Sequence, residues 1–323
     1  MSEALPQRPF DSLADGRMVA CVDIGGTKVA VTLASHEGFA ARFSEPTATA
    51  GDTGAVASQV LRMIGRACEA AGVPLERVDA VGVASTGPFV RRDGYVELAS
   101  PNLCGALAGP ARGLPNDWSS ATLERPLCER FRVVRVANDA VAALVAERHW
   151  GALRGSDDCA YVTWSTGIGT GLCVGGHVLL GKNGNAGHAG HSFVNDDPDR
   201  SLCGCGNVGD VEAQVSGGGI ERRFGVDAAT LMASARAGES AAVRTVDTLC
   251  EILGRALYNL VVTLDLQCVA IGGSVFWHHR DHLLPKLRAR LDGRLPAITA
   301  GASLVPAGLG LQVGDYGALA LVA

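Results

Sequence analysis

The chain of 323 residues has no basic excess: 28 Lys and Arg stand against 33 Asp and Glu, a formal net charge of -5. Nucleic-acid surfaces need the opposite balance to neutralise phosphates, so small ligands are the expected partners and nucleic acid is not. No apolar run reaches the ~18 residues of a membrane span, and the N-terminus lacks a basic segment followed by an apolar signal core. The expectation is a cytoplasmic protein with no membrane attachment. A disulfide framework is also missing from the pattern. Among 10 cysteines, Cys21, Cys159, Cys173 and Cys268 sit singly inside apolar strand-like runs, as buried thiols of a reducing compartment do. The pattern Gly-x-x-x-x-Gly-Lys-Ser/Thr cannot be aligned on Gly25 to Lys28, and Gly-x-Gly-x-x-Gly fails at Gly167, which excludes a P-loop and a single Rossmann unit there. No domain linker is evident, so the halves of the chain should be closely joined.

What is present is an ordinary globular composition, 47% hydrophobic and 19% charged, with 42 glycines for tight turns. The length suits two domains, each burying its own core. Residues 1–17 are polar and patternless and read as a flexible tail, too short for a helix-turn-helix domain. MVACVDIGGTKVAVTLA, 18–34, predicts strand, glycine turn and strand. Such a turn exposes backbone N–H groups that can cradle a phosphate, with Thr27 and Lys28 adding a hydroxyl and a positive charge. Asp52 or Thr53 can cap a helix with apolar face Val56, Val60, Met63, Ile64 and Ala67, ending at Gly72. Val78 to Ala84 predicts a buried strand that delivers Ser85, Thr86 and Gly87 at its C-terminal end, where open α/β sheets place ligand contacts.

Val133 to Ala137 predicts another strand, running into Asn138-Asp139 and a helix to about Trp150. An aspartate at a helix start is ordinarily a cap. At the C-terminal end of a central strand, held ionised by the helix dipole, it is also placed to take a proton from a hydroxyl. AYVTWSTGIGTGLCVGG, 160–176, repeats the plan of the first hairpin around Thr166, and two such turns could grip one polyphosphate from opposite sides. Further on, 241–264 predicts a helix, 268–271 a strand, Gly272-Gly273-Ser274 a turn that lets a flat base approach the backbone, 281–291 a helix and 314–322 a terminal helix.

The stretch 185–217 concentrates His188, His191, Cys203, Cys205, Asp210 and Glu212 among glycines, without apolar periodicity. Thiolate and imidazole are zinc ligands. His191, Cys203 and Cys205 supply three of the four donors of a tetrahedral structural site, and Asp210 can supply the fourth. A metal-free loop held by hydrogen bonds is the alternative.

DIGGTK at 23–28, Asn138-Asp139, STGIGTG at 165–171, the AGHAGH and CGCG stretch, and IGGS at 271–274 together resemble the ROK family of sugar kinases and repressors, in order and spacing from residue 18 onward. The resemblance implies an actin-like or hexokinase-like fold of two α/β domains with sugar and ATP in the cleft between them. The division would be 18–137, joined by the C-terminal helix 314–323, and 138–313, carrying the sugar and zinc loop 185–217. It implies a homodimer and phosphoryl transfer from ATP-Mg2+ to the 6-hydroxyl of a hexose or N-acetylhexosamine, with Asp139 taking the proton. Asp23, Gly25, Gly26, Thr27, Lys28, Thr166, Gly167 and Gly169 would hold the phosphates, and Gly272 and Gly273 the adenosine. Gly87, Asn102 of the Pro-Asn-Leu run, Asn138, His188, His191 and Glu212 would contact the sugar. Structural Zn2+ would bind His191, Cys203, Cys205 and Asp210, where Asp210 replaces the family's last cysteine. His188 replaces a glutamate, and Ser85-Thr86-Gly87 a Pro-Gly. Both resemble the bacterial N-acetylmannosamine kinases. Glucokinase or another hexokinase is the alternative, and a non-catalytic sugar-binding regulator the rival class.

Overall fold

The computed structural model describes residues 9–13, 16–108 and 113–323. They fall into two units: one of Met1–Trp150, Leu180–Asn185 and Gln312–Ala323, the other of Gly151–Leu179 and Ala186–Leu311.

In the first unit, β1 (Met18–Ile24), β2 (Lys28–Ser35) and β3 (Gly38–Pro46) form an antiparallel ribbon, and β4 (Val78–Ser85) runs parallel to β1. A small antiparallel sheet follows, made of β5 (Phe89–Arg92), β6 (Tyr95–Leu98) and β7 (Ala121–Thr122). β8 (Val133–Asn138) then pairs parallel with β4, completing the order β3-β2-β1-β4-β8. Successive side chains of a strand face opposite ways. Ala20, Val22 and Ile24 therefore pack with Val56, Val60, Met63 and Ile64 of the helix Ala55–Ala71, while Val19 and Cys21 pack with Ala142, Ala318 and Leu319 on the other face. Both faces are covered, which is why β1 and β4 read as nearly continuous apolar runs. Gly82 of β4 lets the helix Val313–Ala320 approach, since a Cβ there would collide with the Ala318 carbonyl.

The second unit repeats the plan. β9 (Cys159–Trp164), β10 (Ile168–Val174) and β11 (His177–Val178) are antiparallel, and β12 (Cys268–Gly272) and β13 (Ser303–Pro306) add in parallel, in the order β11-β10-β9-β12-β13. Val162, Trp164, Val269 and Ile271 share a core with Leu249, Leu253 and Leu257 of the helix Ser240–Leu264.

Three expectations need correction. Residues 9–13 are packed rather than tail-like: Phe10 meets Phe39 edge-on at 5.0 Å and Leu13 is fully buried. Two apolar side chains outweigh the polar look of that stretch; residues 1–8 and 14–15 lie outside the described residues. The helix Asp139–Trp150 belongs to the first unit, because it packs on the C-terminal helix, where a Cβ at Gly317 would lie 3.2 Å from Ala142. Leu180–Asn185 also belongs there: the Asn185 side chain accepts from the Phe89 N–H and donates to the Phe89 carbonyl, both at 2.7 Å. Finally, the N-cap of the helix Ala55–Ala71 is Gly54, whose N–H donates to Asp52 Oδ1 at 2.9 Å.

Candidate active site and metal cluster

In the first unit, pairing brings the C-terminal ends of β1, β4 and β8 side by side, with Ile24 opposite Ser85 and Ser85 opposite Asn138. The residues that follow these ends are therefore neighbours: Gly25 to Lys28, Thr86-Gly87 and Asp139. The first turn is closed by the Gly25 N–H donating to the Lys28 carbonyl at 2.9 Å and by the Thr47 hydroxyl donating to the Gly25 carbonyl at 2.8 Å. Thr27 and Lys28 are exposed on it. Gly26 sits against Asn102, where a Cβ would lie 2.8 Å from the Asn102 Cβ, so a side chain there would force the two apart. Gly87 is partly exposed just beyond β4.

Asn138 is buried, and its Oδ1 accepts from the Ala140 N–H at 3.0 Å. Its side chain braces the turn into the helix. Asp139 Oδ1 accepts from the same N–H at 2.8 Å, and the residue is exposed at the helix start. Asp23, at the end of β1, has a carboxyl pushed up to about 6 by burial and then by the charge of Asp315, against the pull of Lys28 and Arg42. Asp315 itself accepts from Thr32 Oγ1 at 2.8 Å and from Arg42 Nε at 3.0 Å. The sequence reading missed Asp315, since nothing local marks it.

In the second unit, Thr166 is exposed at the tip of the turn from β9 to β10, and the Ser165 N–H donates to the Gly167 carbonyl at 3.0 Å. The β12 end lies beside it: Gly272 pairs with Thr163, and the Ser165 and Ser274 hydroxyls are 3.0 Å apart. Gly273 has φ +87°, and a Cβ there would meet Thr163 Oγ1 at 2.6 Å, so only glycine fits against the strand. Gly217 and Gly218 donate to the Ser165 and Thr166 carbonyls at 2.8 and 3.1 Å. Their triple-glycine run was the available signal for this role.

Glu212, expected on the sugar, accepts from the Ile168 N–H with Oε2 at 2.9 Å, while its Oε1 lies 3.5 Å from Cys203 Sγ. It thus joins the base of the second turn, beside Gly167 and Gly169, to the cysteine cluster. The segment carrying His188 is fixed on β10: the Thr170 N–H donates to the Gly187 carbonyl at 3.1 Å, and a Cβ on Gly187 or Gly190 would collide with the Thr170 or Ile168 carbonyl. His188 and His191 have ring centroids 6.1 Å apart.

The cluster is formed by His191 Nδ1, Cys203 Sγ, Cys205 Sγ and one Asp210 oxygen, all within 4.8 Å of one another. Both sulfurs lie 3.7 Å from His191 Nδ1, Cys205 Sγ lies 3.9 Å from Asp210 Oδ2, and His191 Nδ1 lies 3.0 Å from Asp210 Oδ2. A tetrahedral ion with bonds of ~2.0–2.3 Å has donor edges of roughly 3.3–3.8 Å, so the set fits zinc. Backbone bonds shape the knuckle, with the Cys203 N–H on the Asn207 carbonyl at 2.8 Å. Asp210 is fully buried and caps the helix Val211–Val215, its Oδ1 accepting from the Ala213 N–H at 2.7 Å. Burial opposes its charge, but hydrogen bonds from His191 and Ala213 hold it below the usual carboxylate range; burial pushes the Cys203 thiol far up. A cation at the centre would reverse that thiol shift.

The sequence model of the ROK family matches residues 19–323. The chain belongs to the ROK family. It is 36% identical over 264 residues to an N-acetylmannosamine kinase of Shigella boydii serotype 18, covering 79% of this chain and 82% of the relative. It is 30% identical over 282 residues to a glucokinase of Aeropyrum pernix, covering 80% and 84%. A crystal structure of a ROK family glucokinase from Streptomyces griseus in complex with glucose and AMPPNP matches with a TM-score of 0.69 at 26% identity, over 94% of this chain and 98% of that one. As a ROK protein the chain has the actin-like fold, visible in the repeated sheet order of its two units, and is an enzyme of the sugar-kinase class.

Proposed function

We propose that this ROK kinase transfers the γ-phosphoryl group of ATP to the 6-hydroxyl of an N-acetylhexosamine, with N-acetylmannosamine the preferred sugar. The observation that carries the reading is the row of strand ends in the first unit, in which Asp139 follows the end of β8 and the Gly25 to Lys28 turn follows the end of β1, with the end of β4 between them. In the reaction the sugar oxygen bonds to the γ-phosphorus as the bond to the β-phosphoryl oxygen breaks and its electron pair leaves on ADP. The hydroxyl proton passes to the Asp139 carboxylate. Phosphoryl transfer depends on positioning and charge neutralisation more than on a strong base. Asp23, the amides of Gly25 and Gly26, the Thr27 hydroxyl, Lys28 and the turn of Thr166, Gly167 and Gly169 are assigned to ATP-Mg2+, and Gly272 and Gly273 to adenosine. Gly87, Asn102, Asn138, His188, His191 and Glu212 are assigned to the sugar side. For Asn138 and Glu212 the hydrogen bonds above make the role one of positioning as well.

Zn2+, held by His191, Cys203, Cys205 and Asp210, would tie the His188 segment to the helix that carries Glu212 and so preorganise it. The ten free cysteines, eight of them buried (Cys21, Cys68, Cys104, Cys159, Cys173, Cys203, Cys250 and Cys268), support a reducing compartment such as the cytoplasm. Among the described residues no helix is long and apolar enough to cross a membrane. A homodimer follows from the family resemblance, and sedimentation of the purified protein tests it.

The choice of sugar rests on His188. A glutamate there would accept two hydrogen bonds as an anion, whereas a neutral imidazole offers one donor and one acceptor. N-acetylmannosamine presents an axial acetamido group at C2 where glucose has an equatorial hydroxyl, so the pocket demands differ. The 36% identity to an N-acetylmannosamine kinase supports the same reading, against 30% to a glucokinase. ADP release measured over a panel of hexoses decides it, with wild type and His188→Glu compared on N-acetylmannosamine and glucose. The ratio of the two kcat/KM values should shift toward glucose by about 1–3 kcal/mol, the cost of one buried polar group left unpaired. An unmoved ratio removes His188 as selector.

A further inference from the structure

The loop 113–120, just before β7, contributes no residue to the site described above, yet one of its side chains is bonded on every side. An amide offers two N–H donors and an oxygen with two lone pairs. Asn116 uses all four. Its Nδ2 donates to the Thr49 carbonyl at 2.8 Å and to the Leu103 carbonyl at 3.0 Å, and its Oδ1 accepts from the Gly105 N–H at 2.8 Å and the Trp118 N–H at 3.1 Å. The bond from Trp118 is local and shapes the loop; the other three reach residues 11, 13 and 67 positions away.

The segments joined in this way both border the site. Leu103 and Gly105 belong to the run after β6 that carries Asn102. Ser100, fully buried, accepts there from the Leu103 and Cys104 N–H groups at 2.9 and 2.8 Å, and from the Asn102 N–H with its Oγ at 3.3 Å, so the backbone of Asn102 is pinned. A Cβ on Gly105 would collide with the Asn116 carbonyl, so loop and run are in contact. On the other side, Thr49 lies two residues beyond Thr47, whose N–H donates to the Thr27 carbonyl at 3.1 Å and whose hydroxyl closes the Gly25 to Lys28 turn. Gly26 of that turn touches Asn102 directly, as described above. The two asparagines are opposites: Asn116 has its amide saturated by backbone, whereas Asn102 is half-buried and among the described residues its side-chain amide has no hydrogen-bond partner. A saturated amide is scaffold, and one left open on a pinned backbone is available to a ligand.

We infer that Asn116 is a positioning residue of the sugar side: it holds the run carrying Asn102 at a fixed place relative to the Gly25 to Lys28 turn, and touches no substrate itself. The inference rests on the assignment of Asn102 to the sugar. A group that recognises a ligand by hydrogen bonds must be held to within about 0.5 Å, which its supporting shell decides. Releasing Leu103 and Thr49 should therefore cost sugar affinity before it costs the fold, because the Trp118 Nε1, on the Gly51 carbonyl at 3.1 Å, fastens the loop to the same segment a second time.

The test compares wild type, Asn116→Asp, Asn102→Ala and the double variant, each as the full chain. Aspartate keeps the shape and the bonds accepted from Gly105 and Trp118, but sets an oxygen against the Thr49 and Leu103 carbonyls. Calorimetry without nucleotide, with N-acetylmannosamine and glucose in turn, should show sugar binding weakened about tenfold or more in Asn116→Asp, and no further weakening when that change is added to Asn102→Ala. AMPPNP affinity should stay unchanged, because Thr47 and the bond between Gly25 and Lys28 still close the turn; the KM for the sugar should rise while the KM for ATP does not. Asn116→Ala, which adds no charge, takes the place of Asn116→Asp if the latter does not fold. Failure of both to fold, or full sugar affinity in a variant with a lowered unfolding temperature, makes Asn116 a residue of folding alone and overturns the inference. Equal weakening toward AMPPNP overturns it too, as does the same loss of sugar affinity in the Asn102→Ala background. Those results leave the assignment of Asn102 standing. Full sugar affinity in Asn102→Ala, or a wild type that binds neither sugar, removes that assignment and this inference together.

Discussion

At the end of β1 the chain turns through Gly25, Gly26 and Thr27 into β2; at the end of β9 it turns through Ser165, Thr166 and Gly167 into β10. The sheets behind these turns have one strand order, yet their ends are chemically unlike. The first turn carries its own charges, with Asp23 before it and Lys28 after it, and the outer parallel strand β8 runs into Asp139. The second has no ionisable side chain from Trp164 to Thr170, and the strand corresponding to β8, β13, ends in Pro306-Ala307-Gly308. Its anchoring comes from outside, from Glu212 on the Ile168 N–H and from Gly217 and Gly218 on the carbonyls of Ser165 and Thr166. A shared topology thus fixes where a turn can stand, whereas the side chains at the strand ends decide what charges and hydrogen-bonding groups stand around it.

The sharpest way to break this contrast is at Asp139. Asp139→Asn should lower kcat by about 100-fold or more, with sugar binding retained by calorimetry, because a positioned general base contributes at least that much. Near-normal turnover in this variant would remove the acid from the mechanism. On the other side, Cys203→Ser should take zinc from one ion per chain to near zero by elemental analysis. It should also lower the unfolding temperature, since metal binding and local folding share one free energy. Wild-type protein purified fully active but without metal would leave the cluster as a hydrogen-bonded loop.

Glu212→Ala tests whether the second turn is held from outside. Loss of a charge-assisted hydrogen bond should cost about 1.5–3 kcal/mol in kcat/KM for ATP. If only the KM for the sugar rises, Glu212 serves the sugar and not the turn.

The smallest effect is expected at Asp23. Its carboxyl takes up its proton near pH 6 in the folded chain and near the ordinary value of 3.8 when unfolded. The folded form therefore binds more protons between these values, and stability from this group, full below about pH 4, is lost as pH rises to about 6. Asp23→Asn removes that loss. It should be more stable than wild type by about 1–2 kcal/mol at pH 8, allowing for solvent screening, and nearly equal at pH 4 by urea unfolding. An equal difference at both pH values would show that the carboxyl is not strained.

Both hairpins, the helix on Val56 to Ala67, the strand into Asn138-Asp139 and the four-donor cluster were legible in the sequence because each is written in nearby residues. Apolar runs report burial, glycine pairs report turns, and metal donors cluster along the chain. The role of residues 9–13 was not legible, because two apolar side chains in a polar stretch carry no period, and the partners of Phe10, Phe39 and Tyr316, are supplied by the fold.

By itself the sequence determined the two strand-turn-strand units, the acid at the end of β8 and the donor set of His191, Cys203, Cys205 and Asp210. The tertiary structure alone decided that Asp315 stands by Asp23 and that Glu212 reaches a backbone N–H 44 residues away. The reason is physical. Periodicity and turn chemistry record how a segment meets water and its own backbone, whereas the polar atom a side chain finally meets is set by close packing of segments distant in sequence.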